Sequence, residues 1–329
     1  MPADGMTLPK LAVDFPAIEA AAARIKGQAV VTPLLEYPDL NQRTGGRILL
    51  KAESFQVGGA FKFRGAYNRL AALSAEERAK GVVAASTGNH AQGIAHAANR
   101  LGMKATIVMP ADAPRIKLDN TRNLGAEVVT YDRATQDRDT IAKAIAAERG
   151  CEFVHPYDNP WVMAGQGTIG LELVAQAGTA LDAVLICCGG GGLTAGITTA
   201  IKHLSPATRV YAVEPEGYDD TVNSLLSGER QSIAPGVRSI CDAISTNAPG
   251  ELTFPVLQHY GVEGVRVTDD DARAAMRYGF NTLKLVIEPG GAVALGALLA
   301  NKFDAKGKTV AVLISGGNVD PGLFSQIIG

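Results

Sequence analysis

The chain has 329 residues, of which 47% are hydrophobic and 5% aromatic, and its formal net charge at pH 7 is −2. This near-neutral balance argues against a protein that binds nucleic acid or an anionic membrane surface. The length allows one large domain or two ordinary ones, and the four cysteines have neither zinc-site spacing nor the density of a secreted scaffold, which favours a reduced, cytoplasmic protein.

The predicted secondary structure alternates between short strands and longer helices. The predicted strands are β-branched apolar runs: GVVAAS (81–86), KATIVMP (104–110), AEVVTYD (126–132), DAVLICC (182–188), RVYAVE (209–214), GVRVTD (264–269) and TVAVLIS (309–315). Segments with apolar residues at helical spacing, such as residues 89–102 and 135–150, lie between them and end in glycine. The alternation predicts an α/β fold with mostly parallel sheets and helices on both faces. Because no Pro/Ser-rich linker is present, two domains would be interleaved.

Glycine-rich or polar loops follow four of these strands. They are TGNH (87–90), GGGGLTAG (189–196), PEGYDD (215–220) and GGNVD (316–320). In open α/β sheets, ligands bind beyond the carboxyl ends of the strands. We therefore expect the four loops to build a single site.

The run of four glycines, Gly189, Gly190, Gly191 and Gly192, separates a predicted strand from a helical pattern. Consecutive glycines weaken a chain unless its backbone must turn sharply or approach a ligand closely. At a helix N-terminus their N–H groups form a nest that suits a phosphate. The spacing of the glycines is neither GxGxxG nor GxxxxGK[ST], so it does not predict a binding site for a dinucleotide or for ATP. A flexible turn is the alternative.

Two further loops carry polar side chains at strand ends. Ser86 and Thr87 either cap a helix or form a polar cradle together with Asn89 and His90, which follow directly. The SGGN segment places the Ser315 hydroxyl at the end of the last predicted strand, where it either contacts a ligand or only turns the chain.

Lys62 has an unusual setting in the stretch SFQVGGAFKFRGA. It lies between Phe61 and Phe63, behind two glycines and ahead of Arg-Gly. On this window alone, the simpler interpretation is the start of an amphipathic helix whose lysine reaches out to solvent.

The motifs together resemble pyridoxal-phosphate enzymes of fold type II, the tryptophan synthase β-subunit fold. The similarity is greatest to the branch of serine and threonine dehydratases, serine racemases and 3-hydroxyaspartate dehydratases. It covers nearly the whole chain, through TPLLEYPDLNQRTGG, FQVGGAFKFRGAYNRL, STGNHAQGIA, AGQGTIGLE, CGGGGLTAG, VEPE, IEPGGA and LISGGN in that order. The resemblance implies two interleaved parallel-sheet domains, a large one (1–54 and 158–329) and a small, mobile, substrate-gripping one (55–157), and a homodimer.

The resemblance also implies the cofactor contacts. Lys62 matches the lysine that bonds to the cofactor aldehyde, and a partly desolvated lysine loses affinity for its proton, as a nucleophile and base requires. The remaining matches are Phe61 beside the lysine, the four glycines and Leu193 at the phosphate, Asn89 at the ring hydroxyl, Ser315 at the pyridine nitrogen and Glu288 at the cofactor edge. A helix-start carboxylate is the alternative for Glu288.

The substrate contacts follow by the same resemblance. Ser86, Thr87, Asn89 and His90 match the loop that grips the substrate α-carboxylate. Thr87 stands where racemases of the branch use a serine as the second catalytic base; because threonine is bulkier and restricted in χ1, efficient racemisation is not expected. Arg138 aligns with an arginine that meets a substrate's second carboxylate. Its alternative is a solvated arginine paired with a neighbouring aspartate.

The VEPEGYDD segment resembles the divalent-cation site of the branch. Glu214, the main-chain carbonyl of Tyr218 and Asp220 would be the ligands, and hard oxygen donors suit Mg²⁺, or Ca²⁺ or Mn²⁺. Solvated loop carboxylates are the alternative.

The function implied is elimination of water from a 3-hydroxy-amino acid (3-hydroxyaspartate, L-serine or L-threonine), which yields a 2-oxo acid and ammonia. The alternatives are an amino-acid racemase, a β-replacement enzyme of the cysteine synthase type, and a cofactor-free carrier or regulatory protein on the same scaffold. Because the chain ends soon after SGGN, an appended regulatory domain is not expected.

Overall fold

The computed structural model describes residues 11–113 and 115–329, so residues 1–10 of the expected large domain lie outside the described part. Within those ranges the chain forms ten strands. They are Leu34–Glu36 (β1), Arg47–Ala52 (β2), Val82–Ala85 (β3), Ala105–Pro110 (β4), Glu127–Tyr131 (β5), Glu152–Phe153 (β6), Ala183–Cys187 (β7), Arg209–Pro215 (β8), Glu263–Val267 (β9) and Thr309–Ile314 (β10).

The strands make two sheets. The six-stranded sheet has the order β1-β2-β10-β7-β8-β9, and all its neighbours are parallel except the β1–β2 pair. The four-stranded sheet has the order β5-β4-β3-β6 and is parallel throughout. The chain leaves the larger sheet after β2, builds the smaller one and returns at β7, which confirms the predicted α/β fold with interleaved parallel sheets. The seven predicted strands are present, whereas β1, β2 and β6 were not predicted.

Helices cover the faces of both sheets. They are Phe15–Ile25 (α1), Pro38–Thr44 (α2), Lys62–Ala71 (α3), Ala75–Lys80 (α4), Asn89–Arg100 (α5), Arg115–Asn123 (α6), Arg138–Arg149 (α7), Pro160–Ala177 (α8), Gly192–Leu204 (α9), Asp220–Ser227 (α10), Thr253–His259 (α11), Asp269–Tyr278 (α12), Pro289–Leu299 (α13) and Pro321–Ile328 (α14). Among the residues that the structure describes, no helix is both long enough and apolar enough to cross a membrane.

Two glycine contacts fix α3 against its neighbours. A Cβ on Gly165 of α8 would lie 2.6 Å from the Gly65 Cα, and one on Gly93 of α5 would lie 3.1 Å from the Lys62 carbonyl carbon. Because a side chain at Gly165 would collide with the α3 backbone, and one at Gly93 would press on it, the small residues let α5 and α8 approach closely. The first turn of α3, which carries Lys62, is thereby held between α5 and α8.

Candidate active site

A cavity lies between the two sheets at the carboxyl ends of their strands. Residues after β3 line it from the smaller sheet, and residues after β7 and β10 line it from the larger one. Every residue predicted to contact cofactor or substrate lines this cavity: Phe61, Lys62, Ser86, Thr87, Asn89, His90, Arg138, Gly189, Gly190, Gly191, Gly192, Leu193, Glu288 and Ser315.

One of the four predicted loops does not belong to the cavity. Residues 215–220, all of which the structure describes, are not among its lining residues. The PEGYDD loop instead leads into α10 behind the glycine loop, where the Thr221 hydroxyl donates to the Gly189 carbonyl oxygen at 3.3 Å. The expectation of a single site from four loops was therefore wrong for this loop, because α10 carries it to the back of the glycine run.

Lys62 begins α3 and lines the cavity, while Phe61 and Phe63 on either side are buried. Its Nζ donates to the Pro156 carbonyl oxygen at 2.8 Å and lies 5.0 Å from the centroid of the Phe61 ring. Burial lowers the pKa of the Lys62 ammonium to about 8, although the Glu288 carboxylate opposes that shift. The amine is thus directed into the cavity and is more easily deprotonated than a surface lysine, unlike the solvated side chain of the simpler interpretation.

The segment before Lys62 is joined directly to the last strand of the larger sheet. The Phe61 N–H donates to the Ser315 carbonyl oxygen at 3.0 Å, and Ala60 forms a bridge with Gly316. This pairing sets the lysine and the Ser315 hydroxyl on the same cavity wall. The Cys187 thiol, which the sequence did not mark as a site residue, also lines the cavity.

The glycine loop passes closely over Tyr157. A Cβ on Gly190 would lie 2.2 Å from the tyrosine ring, and one on Gly192 would lie 2.7 Å from the Tyr157 carbonyl oxygen. Gly191 has a φ of +90°, which an L side chain rarely adopts. The loop opens α9 at its N-terminus, where free backbone N–H groups and the helix dipole favour an anion. A flexible turn would not require these constraints.

Asn89 connects Glu288 to Asn318. Its Nδ2 donates to Glu288 Oε1 at 2.7 Å, and its Oδ1 accepts from Asn318 Nδ2 at 2.8 Å. Burial raises the pKa of Glu288 to about 8, against the effect of the Asn89 hydrogen bond. Glu288 precedes α13, but its side chain makes no capping bond, so it is not merely a helix-start carboxylate. Asn318 was missed, although the SGGN motif contains it.

The N-terminus of α5 presents the predicted carboxylate-gripping loop to the cavity. Ser86 Oγ accepts from the Gly88 N–H at 3.1 Å, and Thr87 lies beside it. His90 Nε2 lies 2.9 Å from the Val154 carbonyl oxygen, which can only accept, so this nitrogen carries the proton. Burial and the Lys62 charge lower the pKa of His90 to about 3. The imidazole is therefore neutral, and the donors that the first turn of α5 offers to a carboxylate are its backbone N–H groups.

Arg138 is the first residue of α7 and lines the cavity with a side chain that is 48% exposed. Its Nε lies 3.5 Å from Asp139 Oδ1, so the paired, partly solvated arrangement is present at the cavity wall itself. Lys117, a third basic residue of the cavity, which the sequence did not indicate, lies 3.8 Å from Asp242 Oδ2.

The two predicted ligand carboxylates of the VEPEGYDD segment are buried rather than solvated. Glu214 is 0% and Asp220 1% exposed, and Glu214 Oε1 and Asp220 Oδ1 have no hydrogen-bond partner among the described residues. Burial, with the Asp220 charge, raises the pKa of Glu214 well above its usual value, and burial raises the pKa of Asp220 to about 7. Over the described ranges no cluster of three His, Cys, Asp or Glu residues suits a metal, so any cation would rest on these two carboxylates and a carbonyl.

The sequence matches the pyridoxal-phosphate dependent enzyme family over residues 25–316. The chain belongs to this family. It is 42% identical to an L-threonine ammonia-lyase of Thermotoga maritima over 94% of this chain and 77% of the relative. It is 41% identical to an L-threo-3-hydroxyaspartate ammonia-lyase of Saccharomyces cerevisiae over 94% of both chains. The structure of maize serine racemase has a TM-score of 0.91 at 34% identity, with 96% of each chain covered.

The residues of the cavity fit the family cofactor. Pyridoxal phosphate needs an amine for its aldehyde and an anion nest for its phosphate. Lys62 supplies an amine of lowered pKa, and the glycine loop supplies a cradle that a Cβ on Gly190 or Gly192 would block. Both groups line one cavity together with Asn89 and Ser315.

Proposed function

We propose that this member of the pyridoxal-phosphate family is a dehydratase that eliminates water from a 3-hydroxy-amino acid, with 3-hydroxyaspartate, L-serine and L-threonine as the candidate substrates. The observation that carries the proposal is the convergence, in one cavity, of a lysine of lowered pKa, a phosphate nest and the N-terminus of a helix. The ammonia-lyase names of relatives at 41% and 42% identity support it.

The cofactor, Lys62 and the start of α5 would each have a separate role in the reaction. Pyridoxal phosphate, when bound, supplies an electron sink for negative charge at the substrate α-carbon. Lys62 would hold the cofactor and, once released as a neutral amine, accept the α-proton at Nζ. The backbone N–H groups at the start of α5, with Ser86 and Thr87, would hold the α-carboxylate. Loss of the 3-hydroxyl together with the α-proton removes one water, and hydrolysis of the released enamine then consumes one water to give the 2-oxo acid and ammonia.

The other cavity residues would orient the ring. Asn89, held between Glu288 and Asn318, would contact the ring hydroxyl, and Ser315 would contact the pyridine nitrogen. A neutral hydroxyl does not hold that nitrogen protonated as a carboxylate would, which suits elimination from a short-lived carbanion. Phe61 and Leu193 would pack beside the cofactor.

The distribution of products separates this proposal from its alternatives. Incubated with L-serine, a dehydratase releases pyruvate and ammonia in equal amounts, whereas a racemase accumulates D-serine. A β-replacement enzyme would need an added thiol or sulfide and an activated serine. The racemase remains the second candidate because the similar maize structure is a serine racemase. Accumulation of D-serine without pyruvate would contradict the dehydratase proposal.

We expect the Arg138→Ala substitution to reduce kcat/KM for 3-hydroxyaspartate selectively. The planar guanidinium can bond both oxygens of a second carboxylate, and loss of a charged hydrogen bond of this kind costs about 2 kcal/mol. Steady-state kinetics with 3-hydroxyaspartate and L-serine measure the effect. Arg133→Ala is the matched control, since Arg133 pairs with Asp112 and is 57% exposed. An equal loss for both substrates would mean that Arg138 stabilises α7 and does not select the diacid.

We also propose that Glu214, the Tyr218 carbonyl and Asp220 bind a divalent cation, Mg²⁺ or alternatively Ca²⁺ or Mn²⁺. The support is the pair of buried carboxylate oxygens without partners in the described chain. Chelation should lower the melting temperature and Mg²⁺ should restore it, because a ligand at a hundred times its Kd adds about 2.7 kcal/mol of stability. The Asp220→Asn variant should lose this response. A melting temperature and activity indifferent to chelator would remove the cation.

Two features of the assembly are further proposals. We propose that residues 55–157, which include the whole four-stranded sheet, move as a small domain, and that small-angle scattering detects compaction on adding substrate. We propose a homodimer as well, supported by the large hydrophobic side chains of Phe55 and Val286, which are 53% and 46% exposed. A monomeric mass in sedimentation would contradict it.

The four free thiols support a cytoplasmic location, which cell fractionation can test.

A further inference from the structure

The back of the glycine loop is held by a segment outside the cavity lining. The carbonyl oxygen of Gly190 accepts two hydrogen bonds, from Thr253 Oγ1 at 2.7 Å and from the Gly250 N–H at 3.1 Å. Thr253 is 0% exposed, so its hydroxyl, which also lies 3.3 Å from the Gly250 carbonyl oxygen, could not exchange the bond to Gly190 for one to water.

Asp158 in turn fixes the segment that carries Thr253. Its Oδ1 accepts from the N–H groups of Leu252 and Thr253 at 2.8 and 3.2 Å, and its Oδ2 accepts from that of Glu251 at 3.1 Å. The contact requires a glycine nearby, since a Cβ on Gly250 would lie 2.2 Å from Asp158 Oδ1. One carboxylate thus orders the start of α11 and the hydroxyl that follows.

The geometry of a trans peptide links these bonds to the cavity. The carbonyl of Gly190 and the N–H of Gly191 belong to one planar unit and point in opposite directions. Because two donors hold the carbonyl toward residues 250–253, the Gly191 N–H is turned away from them. Because neither glycine has a side chain that restricts its backbone, the Gly190–Gly191 peptide would rotate freely without these two donors.

We propose that Thr253 and Asp158 are positioning residues of the phosphate nest: they fix the Gly190–Gly191 peptide so that its N–H faces the cofactor phosphate. The inference rests on the proposed role of the glycine loop. Asp158 directly follows Tyr157, whose ring and backbone pack against Gly190 and Gly192, so the loop is held both by packing and by hydrogen bonds. Neither Thr253 nor Asp158 lines the cavity, and both would act through Gly190.

The test compares two ligands that differ only in the phosphate. Pyridoxal phosphate and pyridoxal are each titrated into protein stripped of cofactor, for the parent and for the Thr253→Val variant, which keeps the side-chain shape and removes the donor. We expect the Kd of pyridoxal phosphate to rise about tenfold, as for loss of one buried hydrogen bond, with no change for pyridoxal. Thr253→Ser, which keeps the donor, should restore tight binding of the phosphate form.

Thr208→Val is the matched control. Thr208 is also 0% exposed, and its hydroxyl donates at the same 2.7 Å, but to the Leu181 carbonyl oxygen and not to the glycine loop. It should leave both affinities unchanged. Asp158→Asn, which keeps an uncharged acceptor, should show a smaller loss of affinity, and only for pyridoxal phosphate.

An equal rise in both dissociation constants, or none, would overturn the proposal, because a general loss of folding affects both ligands alike. Circular dichroism of each variant identifies a chain that does not fold. Failure here differs from failure of the proposed reaction: the first leaves dehydration by the parent intact, whereas the second leaves the phosphate-selective loss of binding intact.

Discussion

The Lys62→Ala variant is expected to lose turnover by at least about a thousandfold and to lose the visible absorbance of lysine-bound cofactor. The same amine is asked to bond to the cofactor and then to accept the α-proton, and a positioned base alone contributes up to about 10⁴-fold. The fold should survive, because Phe61 and Phe63 provide the buried packing of this turn, and removing the amine costs only the hydrogen bond from Nζ to the Pro156 carbonyl oxygen. Absorbance spectra and oxo-acid release measure the two losses.

The control for this variant is Lys80→Ala. Lys80 lies at the end of α4, is 44% exposed and pairs with Glu76, so its removal should leave spectrum and activity unchanged. Turnover at the parent rate by the Lys62→Ala protein would overturn the assignment of the whole cavity.

Replacing Arg64 with methionine should cause the second large effect, which is a loss of stability. The guanidinium is fully buried two residues after Lys62. It bonds both oxygens of Glu53 at 2.8 and 2.9 Å and both oxygens of Glu172 at 2.6 and 2.9 Å. The Lys51 amine, also buried, contacts Glu172 at 2.6 Å, so the cluster contains two cations and two carboxylates.

Removing Arg64 leaves two carboxylates with a single cation inside the protein. Breaking a buried pair in this way costs about 3–5 kcal/mol of unfolding free energy, since an uncompensated charge stays buried. Denaturant titration measures the change. Arg209→Met is the comparison: that arginine pairs with Glu263 on the surface, with side chains 61% and 44% exposed, and should cost less than about 1 kcal/mol. Similar losses for the two variants would contradict the account of the cluster.

The strands that the sequence predicted share one property, which is a short run rich in β-branched apolar residues. The strand Arg47–Ala52 was missed because it contains a lysine, which argues against a buried strand. Lys51 is nevertheless fully buried, and its charge is compensated by Glu172 and the Thr32 carbonyl oxygen, which come from other parts of the chain. Leu34–Glu36 and Glu152–Phe153 are too short to show a period. Tertiary contacts, and not local propensity, make these segments strands.

The residues expected at the cofactor and substrate were predicted largely through ordered motifs, and all of them line the cavity, while their roles stay predictions. What the sequence could not supply are the groups that act through contacts between distant segments. Asn318 reaches Asn89, and Thr253 reaches Gly190, across large separations in the chain. The neutral state of His90 likewise depends on its burial against Val154, which no local pattern reveals.

The most direct test of the central claim is the release of 2-oxo acid and ammonia from L-serine, L-threonine and both diastereomers of 3-hydroxyaspartate, measured side by side with the cofactor-loaded protein. The account predicts equimolar oxo acid and ammonia, with kcat/KM higher for a 3-hydroxyaspartate diastereomer than for serine or threonine, because Arg138 can meet the second carboxylate. Absence of oxo acid from all four substrates, with the cofactor spectroscopically in place, would contradict it.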